Sequence, residues 1–245
     1  MRNIWFIAKK EFKSYFGSPV AYVVGGIVLL TLGFFFWNDM SYAVQTQQYV
    51  PNIQSTFQLY VFPLLFLAAP AITMRTMAEE NRMGTLELLL TSPVRDWELI
   101  IGKWLGSFML FMCLTAITLI YPLVLNSMIQ PGIDQGIVIT GYLGLTLMIA
   151  ALCAVGVFIS SLFSNQIAAL LTSVGVMIVF WVIATPAQSM VGTGADILNY
   201  ISIPGHFYNT FLNGIVDLQD IIFYLSLTAL GLFFGTVVVE IRRWR

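Results

Sequence analysis

The side chains that could support catalysis are few in this sequence and stand far apart. His206 is the only histidine, and it follows Pro204-Gly205 in a predicted external turn. A zinc site needs about three protein ligands, and a serine nucleophile needs a base within hydrogen-bond reach. Asp196 and Asp217 are the residues that could lie near His206, and the sequence suggests no serine partner for it. We therefore predict a loop role for His206 and no catalytic or metal-binding residue.

Nucleotide and thiol chemistry are also poorly supported. Gly102-Lys103 is the nearest approach to a phosphate-binding loop, but such a loop has an earlier glycine and a Ser or Thr after the lysine. Trp97 stands at that glycine position, and a second tryptophan follows the lysine. Cys113 and Cys153 both lie in apolar stretches. This position favours a role as small apolar residues over a role as metal ligands. We expect no enzyme activity and no cofactor in this chain.

The most informative polar residues lie in the segment 75–98. Its acids and bases are concentrated before Leu88, and a predicted helix of about two turns, Thr85 to Leu90, then presents three consecutive leucines. Pro93 ends that helix, because the residue before a proline disfavours helical geometry. An exposed apolar patch rimmed by polar residues marks an interface. The segment therefore predicts a contact with a partner protein; the alternative is a helix packed along the bilayer surface.

The composition and the distribution of charge determine which elements must position these residues. The chain is 58% hydrophobic and 9% charged, whereas soluble domains carry roughly 25% charged residues. All eleven Lys and Arg residues fall in the blocks 2–13, 75–103 and 242–245. Lys and Arg collect on the cytoplasmic side of membrane spans. The pattern predicts an integral membrane protein with both termini in the cytoplasm and no exposed basic groove for nucleic acid.

Six apolar segments are long enough to cross a bilayer, since a span needs about 20 apolar residues. They cover 20–37, 57–74, 99–125, 137–161, 167–185 and 221–240. We predict an all-α fold with six transmembrane helices. The interrupted segment 187–220 is predicted to form one or two short external helices before the last span. Gly102-x-x-x-Gly106 and Gly231-x-x-x-Gly235 would let helices approach closely, although such pairs are only a weak indication of a dimer face.

Residues 1–17 are predicted to form an amphipathic helix. Trp5, Ala8, Phe12 and Tyr15/Phe16 recur at helical spacing, and the three lysines share the opposite side with Glu11. A basic amphipathic helix of this kind lies in the headgroup plane of a membrane; the alternative is a polar tail. The predicted membrane-surface residues are Trp5, Lys9, Lys10, Phe12 and Lys13.

The spans themselves are almost free of ionisable residues, and only boundary residues such as Arg75, Lys103 and Glu240 are charged. Ion-coupled carriers keep such groups inside the bilayer, so the energy for any transport must come from a partner. Two aromatic clusters could line an apolar groove for lipid-like cargo, or form the aromatic belts found at membrane interfaces. They comprise Phe34, Phe35, Trp37, Phe180 and Trp181.

Three runs carry a family resemblance: Glu-Glu-x-x-x-Gly-Thr-Leu-Glu-Leu-Leu-Leu at 79–90, Lys-Glu-Phe-Lys-Ser-Tyr-Phe-Gly-Ser-Pro at 10–19, and Trp-Glu-Leu-Ile-Ile-Gly-Lys at 97–103. With them, the whole chain resembles the permease subunits of ABC-2-type transporters. The second and third runs narrow the resemblance to the gliding-motility-type subgroup, with the nitrous-oxide-reductase maturation permease as a more distant relative. The motif at 79–90 is a strong marker of the family but gives little information about the substrate.

The resemblance implies an assembly in the cell inner membrane. Two six-span permeases, either two copies of this chain or this chain and a sister, would work with two cytoplasmic ATPase subunits that bind ATP and Mg. An external-domain subunit is a further partner that related systems contain. The implied activity is export; the alternative is mechanotransmission, in which ATP hydrolysis moves an external partner and no cargo crosses.

The resemblance also assigns roles along the chain. Residues 1–17 would be the connecting helix, and 79–91 the coupling helix that sits in a groove of the ATPase. The implied coupling residues are Glu79, Glu80, Gly84, Thr85, Leu86, Glu87, Leu88, Leu89 and Thr91.

Overall fold

The computed structural model describes residues 2–46, 53–85, 94–130, 132–183 and 192–243, and these ranges are helical without any strand. The predicted all-α fold is confirmed for them. The helices are α1 Arg2–Phe16, α2 Pro19–Thr46, α3 Ile53–Pro63, α4 Ala69–Met83, α5 Asp96–Thr118, α6 Ile120–Met128, α7 Gln135–Leu162, α8 Gln166–Val182, α9 Thr193–Ile201, α10 Ile203–Asn209 and α11 Leu218–Arg243.

Four helical segments are long and apolar enough to cross a membrane: α2, α5 continued by α6, α7 and α11. They contain 28, 33, 28 and 26 residues, so each exceeds the roughly 20 that a bilayer requires. Helix α8 is apolar but shorter, with 17 residues. The predicted count of six spans and their orientation stay predictions.

The second predicted span, 57–74, corresponds to a helical run with a wider turn inside it. Helices α3 and α4 are joined by a single π-helical turn, Leu64–Ala68. Pro70 follows in the first turn of α4, and a proline has no N–H with which to continue the α-helical ladder. The N–H of Ala69 bonds the carbonyl of Leu64 instead, which is the longer-range bond of a π-turn.

Helix α7 is the centre of the bundle, and small residues let its neighbours approach it closely. A Cβ at Gly156 would lie 2.1 Å from the hydroxyl oxygen of Thr73 on α4, and one at Gly231 of α11 would lie 2.8 Å from the backbone of Ala154. Small residues permit such approach where helices pack in a membrane. The second Gly-x-x-x-Gly pair, beginning at Gly231, thus serves packing within the chain and not a dimer face.

The three basic blocks of the sequence meet at one end of this bundle. Lys103 contacts Glu11 of the first block, and Arg243 of the third block pairs with Asp96 at 3.3 Å. Arg242 donates to the backbone oxygen of Leu162 at the end of α7. We call this the basic end, and the end that carries α9 and α10 the opposite end.

Candidate functional site

A buried cluster of charge at the basic end joins three helices. The Lys103 side chain is almost fully buried, and its ammonium lies 3.2 Å from Glu11 Oε2 of α1 and 2.9 Å from Glu80 Oε1 of α4. It also donates to the backbone oxygen of Thr76 at 2.6 Å. An ammonium has three donors, and here each finds an acceptor. Lys103 is therefore a structural centre of the site and not the boundary residue that the sequence suggested.

The glycine pair on α5 makes room for α1 beside this cluster. A Cβ at Gly102 would lie 2.7 Å from Ile7 Cβ, and one at Gly106 would lie 2.7 Å from Glu11 Cβ. Real Cβ atoms do not come so close, so only glycine at these positions permits the observed approach. The first Gly-x-x-x-Gly pair thus also serves packing within the chain, because it allows the N-terminal helix α1 to pack closely against α5.

The face that α1 buries differs from the predicted apolar stripe. Ala8 and Tyr15 are buried against the bundle, but Trp5 and Phe16 are 56% and 48% exposed. Glu11 lies on the buried side, apart from the lysines with which the sequence grouped it. The Tyr15 hydroxyl lies 2.8 Å from Ser107 Oγ, and burial raises the pKa of Tyr15 well above its ordinary value. Helix α1 is therefore anchored to protein along one face.

The other face of α1 carries the predicted membrane-surface residues. Lys9, Lys10 and Lys13 are exposed together with Trp5, while Phe12 is half-buried. An open groove of about 810 Å³ runs along this face, lined by Asn3, Trp5, Phe6, Ile7, Lys9, Lys10, Lys13 and Val94. Exposed lysines beside large apolar side chains are suited to a membrane surface. That role stays a prediction.

The predicted coupling helix, 79–91, begins differently in the structure. Residues 79–83 are the last turn of α4, which ends at Gly84 in the left-handed conformation with a φ of 69°. Thr85 follows this break. The remaining predicted residues of the helix, Leu86, Glu87, Leu88, Leu89 and Thr91, lie outside the described residues.

The two glutamates of this last turn both pair with basic side chains, Glu79 within α4 and Glu80 across to α5. Glu79 accepts from Arg75 at 3.0 Å, one turn earlier on α4, and Arg75 also donates to Ser18 between α1 and α2. Glu80 contacts Lys103. Glu80 therefore fixes α4 to α5, whereas Glu79 pairs within α4 and holds the Arg75 side chain that contacts Ser18.

Helix α4 is also bonded to the central helix by residues that the sequence analysis missed. Ser160 Oγ accepts from the backbone nitrogens of Met77 and Ala78 at 3.1 and 3.0 Å and donates to the Met74 oxygen at 2.9 Å. Asn81 adds a bond to the Phe163 oxygen at 3.0 Å. The only sequence signal was a pair of serines in the apolar run that forms α7.

Comparison with known protein families identifies the chain. The ABC-2 family transporter protein profile matches residues 5–239, nearly the whole chain. The chain belongs to the ABC-2 transporter family. A comparison with curated proteins gave no match.

Family membership confirms the coarser predictions. Members are membrane-embedded, multi-pass permease components of ABC transporters, and they are not themselves catalytic. They generally work with a cytoplasmic ABC ATPase. The match is to the family as a whole and does not support the narrower assignment to the gliding-motility-type subgroup.

The aromatic residues considered for a cargo groove fall into two separate places in this ABC-2 permease. Phe34 and Trp37 of α2 are 67% and 73% exposed on its outer surface, and Phe35 packs edge-on against Phe34. Phe180 and Trp181 of α8 are half-buried. Trp181 meets the ring of Phe62 edge-on at 5.9 Å. The two clusters thus belong to different helices, and their role as a cargo groove or as aromatic belts stays a prediction.

The single histidine of the permease lies in a helix and not in the predicted turn. His206 lies in α10 and is buried, with Nδ1 2.5 Å from Oδ1 of Asp220 on α11. Asp196 and Asp217, which the sequence suggested as neighbours, are exposed. Among the described residues no group of three or more His, Cys, Asp or Glu side chains could hold a metal ion. The sequence did not indicate Asp220 as the partner of His206, because Asp220 belongs to the next helix.

Proposed function

We propose that this chain is the membrane-spanning permease subunit of an ABC-2 exporter and that a separate cytoplasmic ATPase, which binds ATP and Mg, drives it. The single observation that carries the proposal is the Lys103 cluster, which ties α1 and α4 to α5 next to the segment that leads into 86–93. In this proposal the basic end faces the cytoplasm. The chain crosses the inner membrane six times and pairs with a second copy or a sister permease.

The contacts of α4 support a mechanical route from the ATPase into the bundle. The Gly84 break lies inside the predicted coupling helix, 79–91, so a force on the part after Gly84 would reach the last turn of α4 first. Glu80 passes the displacement to Lys103, and Ser160 passes it to the central helix α7. ATP-driven movement of the coupling segment would thus move α4 relative to α5 and α7, and two permeases would open between them.

Mechanotransmission to an external partner is the second candidate. It is favoured by the firm attachment of the opposite end, where Tyr224 of α11 donates to the Ile203 oxygen of α10 at 2.7 Å. A rigidly attached outer segment would carry a movement of the last span to a protein outside the membrane. In both candidates the ATPase drives the same cytoplasmic segment.

The proposal is tested by Leu88→Asp, because a charge in the predicted leucine patch should prevent docking of the ATPase. We expect the variant to reach the membrane at the wild-type level but to lose the co-purifying ATPase and its vanadate-sensitive activity. Leu88→Ile, which keeps the apolar surface, is the matched control. Retention of an active ATPase by Leu88→Asp would show that this segment is not the docking site.

A further inference from the structure

We propose that His206 and Asp220 hold a structural proton between them at the opposite end of the bundle, and that this proton fastens α10 to α11. Both side chains are buried, with only 7% of each exposed. His206 Nδ1 lies 2.5 Å from Asp220 Oδ1, and His206 Nε2 lies 2.7 Å from the backbone oxygen of Tyr200. The site does not depend on the proposed function; only its location outside the cell does.

The hydrogen-bond partners fix the number of protons. A backbone carbonyl can only accept, so His206 Nε2 must carry hydrogen to bond Tyr200. A neutral imidazole would then present the lone pair of Nδ1 to Asp220, and an ionised carboxylate can only accept as well. The 2.5 Å contact therefore needs one more proton, which belongs either to an imidazolium or to a carboxylic acid.

The neighbouring hydroxyl cannot supply this proton. Thr210 Oγ1 contacts both Asp220 Oδ2 and the backbone oxygen of His206. A threonine hydroxyl has one hydrogen, and these two contacts already compete for it. The network of His206, Asp220, Thr210 and the Tyr200 carbonyl is thus complete only with the additional proton.

The surroundings leave this pair without another charge to balance it. The sequence has no Lys or Arg between 104 and 241, and the carboxylates of Asp196 and Asp217 are exposed. The ring of Phe223 stacks on the imidazole at a centroid distance of 4.0 Å. An unpaired charge in such a site would be costly, so the pair is stable while the proton makes it neutral overall.

Other titratable groups that face the pair are tyrosines. Tyr200 and Tyr224 place their rings edge-on to the imidazole at 5.2 and 6.2 Å. Burial raises the pKa of Tyr208, the next titratable residue on α10, to about 12, so it stays neutral at physiological pH. Helices α7 and α8, which pack against α10, and α3, whose Phe57 meets the ring of Phe207, contain no Asp, Glu, His, Lys or Arg. Helix α9 also packs against α10 and contributes only the exposed Asp196. The hydroxyls of Tyr60 on α3 and Tyr142 on α7 bond Thr115 and Thr118 instead.

The sign of the pH effect follows from this count. An unfolded histidine keeps its proton only below about pH 6.5, and below that pH the folded and unfolded chains bind the same number of protons at this pair. Stabilisation by the pair is therefore complete there. Above that pH the unfolded chain no longer holds the proton that the folded pair requires, so the stabilisation falls as the pH rises. Alkaline conditions should loosen α10 from α11.

The test is hydrogen exchange of the backbone amides of α10 in the purified, full-length protein between pH 6 and 9, corrected for intrinsic exchange rates. We expect protection of α10 to fall by up to about tenfold per pH unit above about pH 6.5, where the opened segment no longer holds the proton, while the 137–144 part of α7 keeps its protection. A constant ratio between the two regions over this range would overturn the proposal.

Asp220→Asn separates proton binding from a merely structural contact. The asparagine amide can donate to Nδ1 of a neutral His206, so the variant should keep α10 protected at pH 9 and lose protection near pH 6, the reverse of the wild type. Asp217→Asn, an exposed carboxylate on the same segment, should retain the wild-type profile. If the protection of α10 depends on pH in the same way in Asp220→Asn and in the wild type, the proposal is contradicted. If Asp220→Asn does not fold, the pH dependence of the wild type alone decides the question.

Discussion

The ammonium of Lys103 lies 2.9 Å from the carboxylate of Glu80, and this contact joins the last turn of α4, where the predicted coupling helix begins, to α5. Glu11 completes the cluster from α1 at 3.2 Å. Charges in a buried site are stable only when they are paired and hydrogen-bonded. The cluster therefore makes α1, α4 and α5 one mechanical unit at the basic end.

Lys103→Met should destabilise the protein strongly, because it leaves Glu11 and Glu80 without their shared cation. Removing one partner of a buried ion pair costs about 3–5 kcal/mol, which thermal unfolding in detergent would measure. The exposed Lys9→Met is the control and should have little effect. The double variant Lys103→Met/Glu80→Gln should recover part of the loss. An unchanged melting temperature for Lys103→Met would mean that the cluster does not fasten these helices.

Gly106→Ala should push α1 away from α5. The new Cβ would lie 2.7 Å from Glu11 Cβ and 3.1 Å from the Ala8 carbonyl oxygen, and neither group is the flexible end of a side chain. Overpacking of this kind costs about 1–3 kcal/mol. Limited proteolysis of the N-terminal helix and thermal unfolding would both report the change. Gly26→Ala, where nothing lies within 4 Å of the new Cβ, should be neutral; equal behaviour of the two variants would argue against tight packing at Gly106.

Ser160→Ala should loosen α4 from α7. The variant loses two accepted bonds and one donated bond between these helices, with an expected cost of about 1–3 kcal/mol. Faster hydrogen exchange at 74–83 would locate the effect. Ser161→Ala, whose hydroxyl bonds Phe158 within its own helix, is the matched control. If both variants exchange alike, Ser160 does not hold α4 in place.

The attachment of α1 should weaken at high pH because of Tyr15. Burial raises the pKa of Tyr15, so the folded protein keeps the phenol proton where the unfolded chain has lost it. This contribution is complete below the ordinary tyrosine pKa of about 10 and is lost as the pH rises beyond it. Tyr15→Phe should lower stability at neutral pH by about 1 kcal/mol and flatten the decline between pH 9 and 11. Tyr22→Phe, at an exposed site, is the control for these thermal unfolding measurements. If the stability of Tyr15→Phe falls with pH as steeply as that of the wild type, Tyr15 does not cause the weakening at high pH.

The partition of charge, the hydrophobic runs and the turn residues of the sequence were sufficient to predict an all-helical membrane protein with its basic residues at one end. These features are local, since hydropathy and periodicity depend on neighbouring residues alone. Helices α2, α7 and α11 include the predicted spans 20–37, 137–161 and 221–240. The short helices before the last span also lie where the sequence predicted them.

The partners of the polar residues were decided by tertiary structure. Periodicity grouped Glu11 with the lysines of α1, but Gly102 and Gly106 on a distant helix admit the face that contains Glu11. His206 similarly finds Asp220 only because α10 folds back on α11. A buried charge lies where another element supplies its counter-charge. The sequence of α1 alone therefore determined that a helix forms, and the packing of distant helices determined which of its charges would be buried.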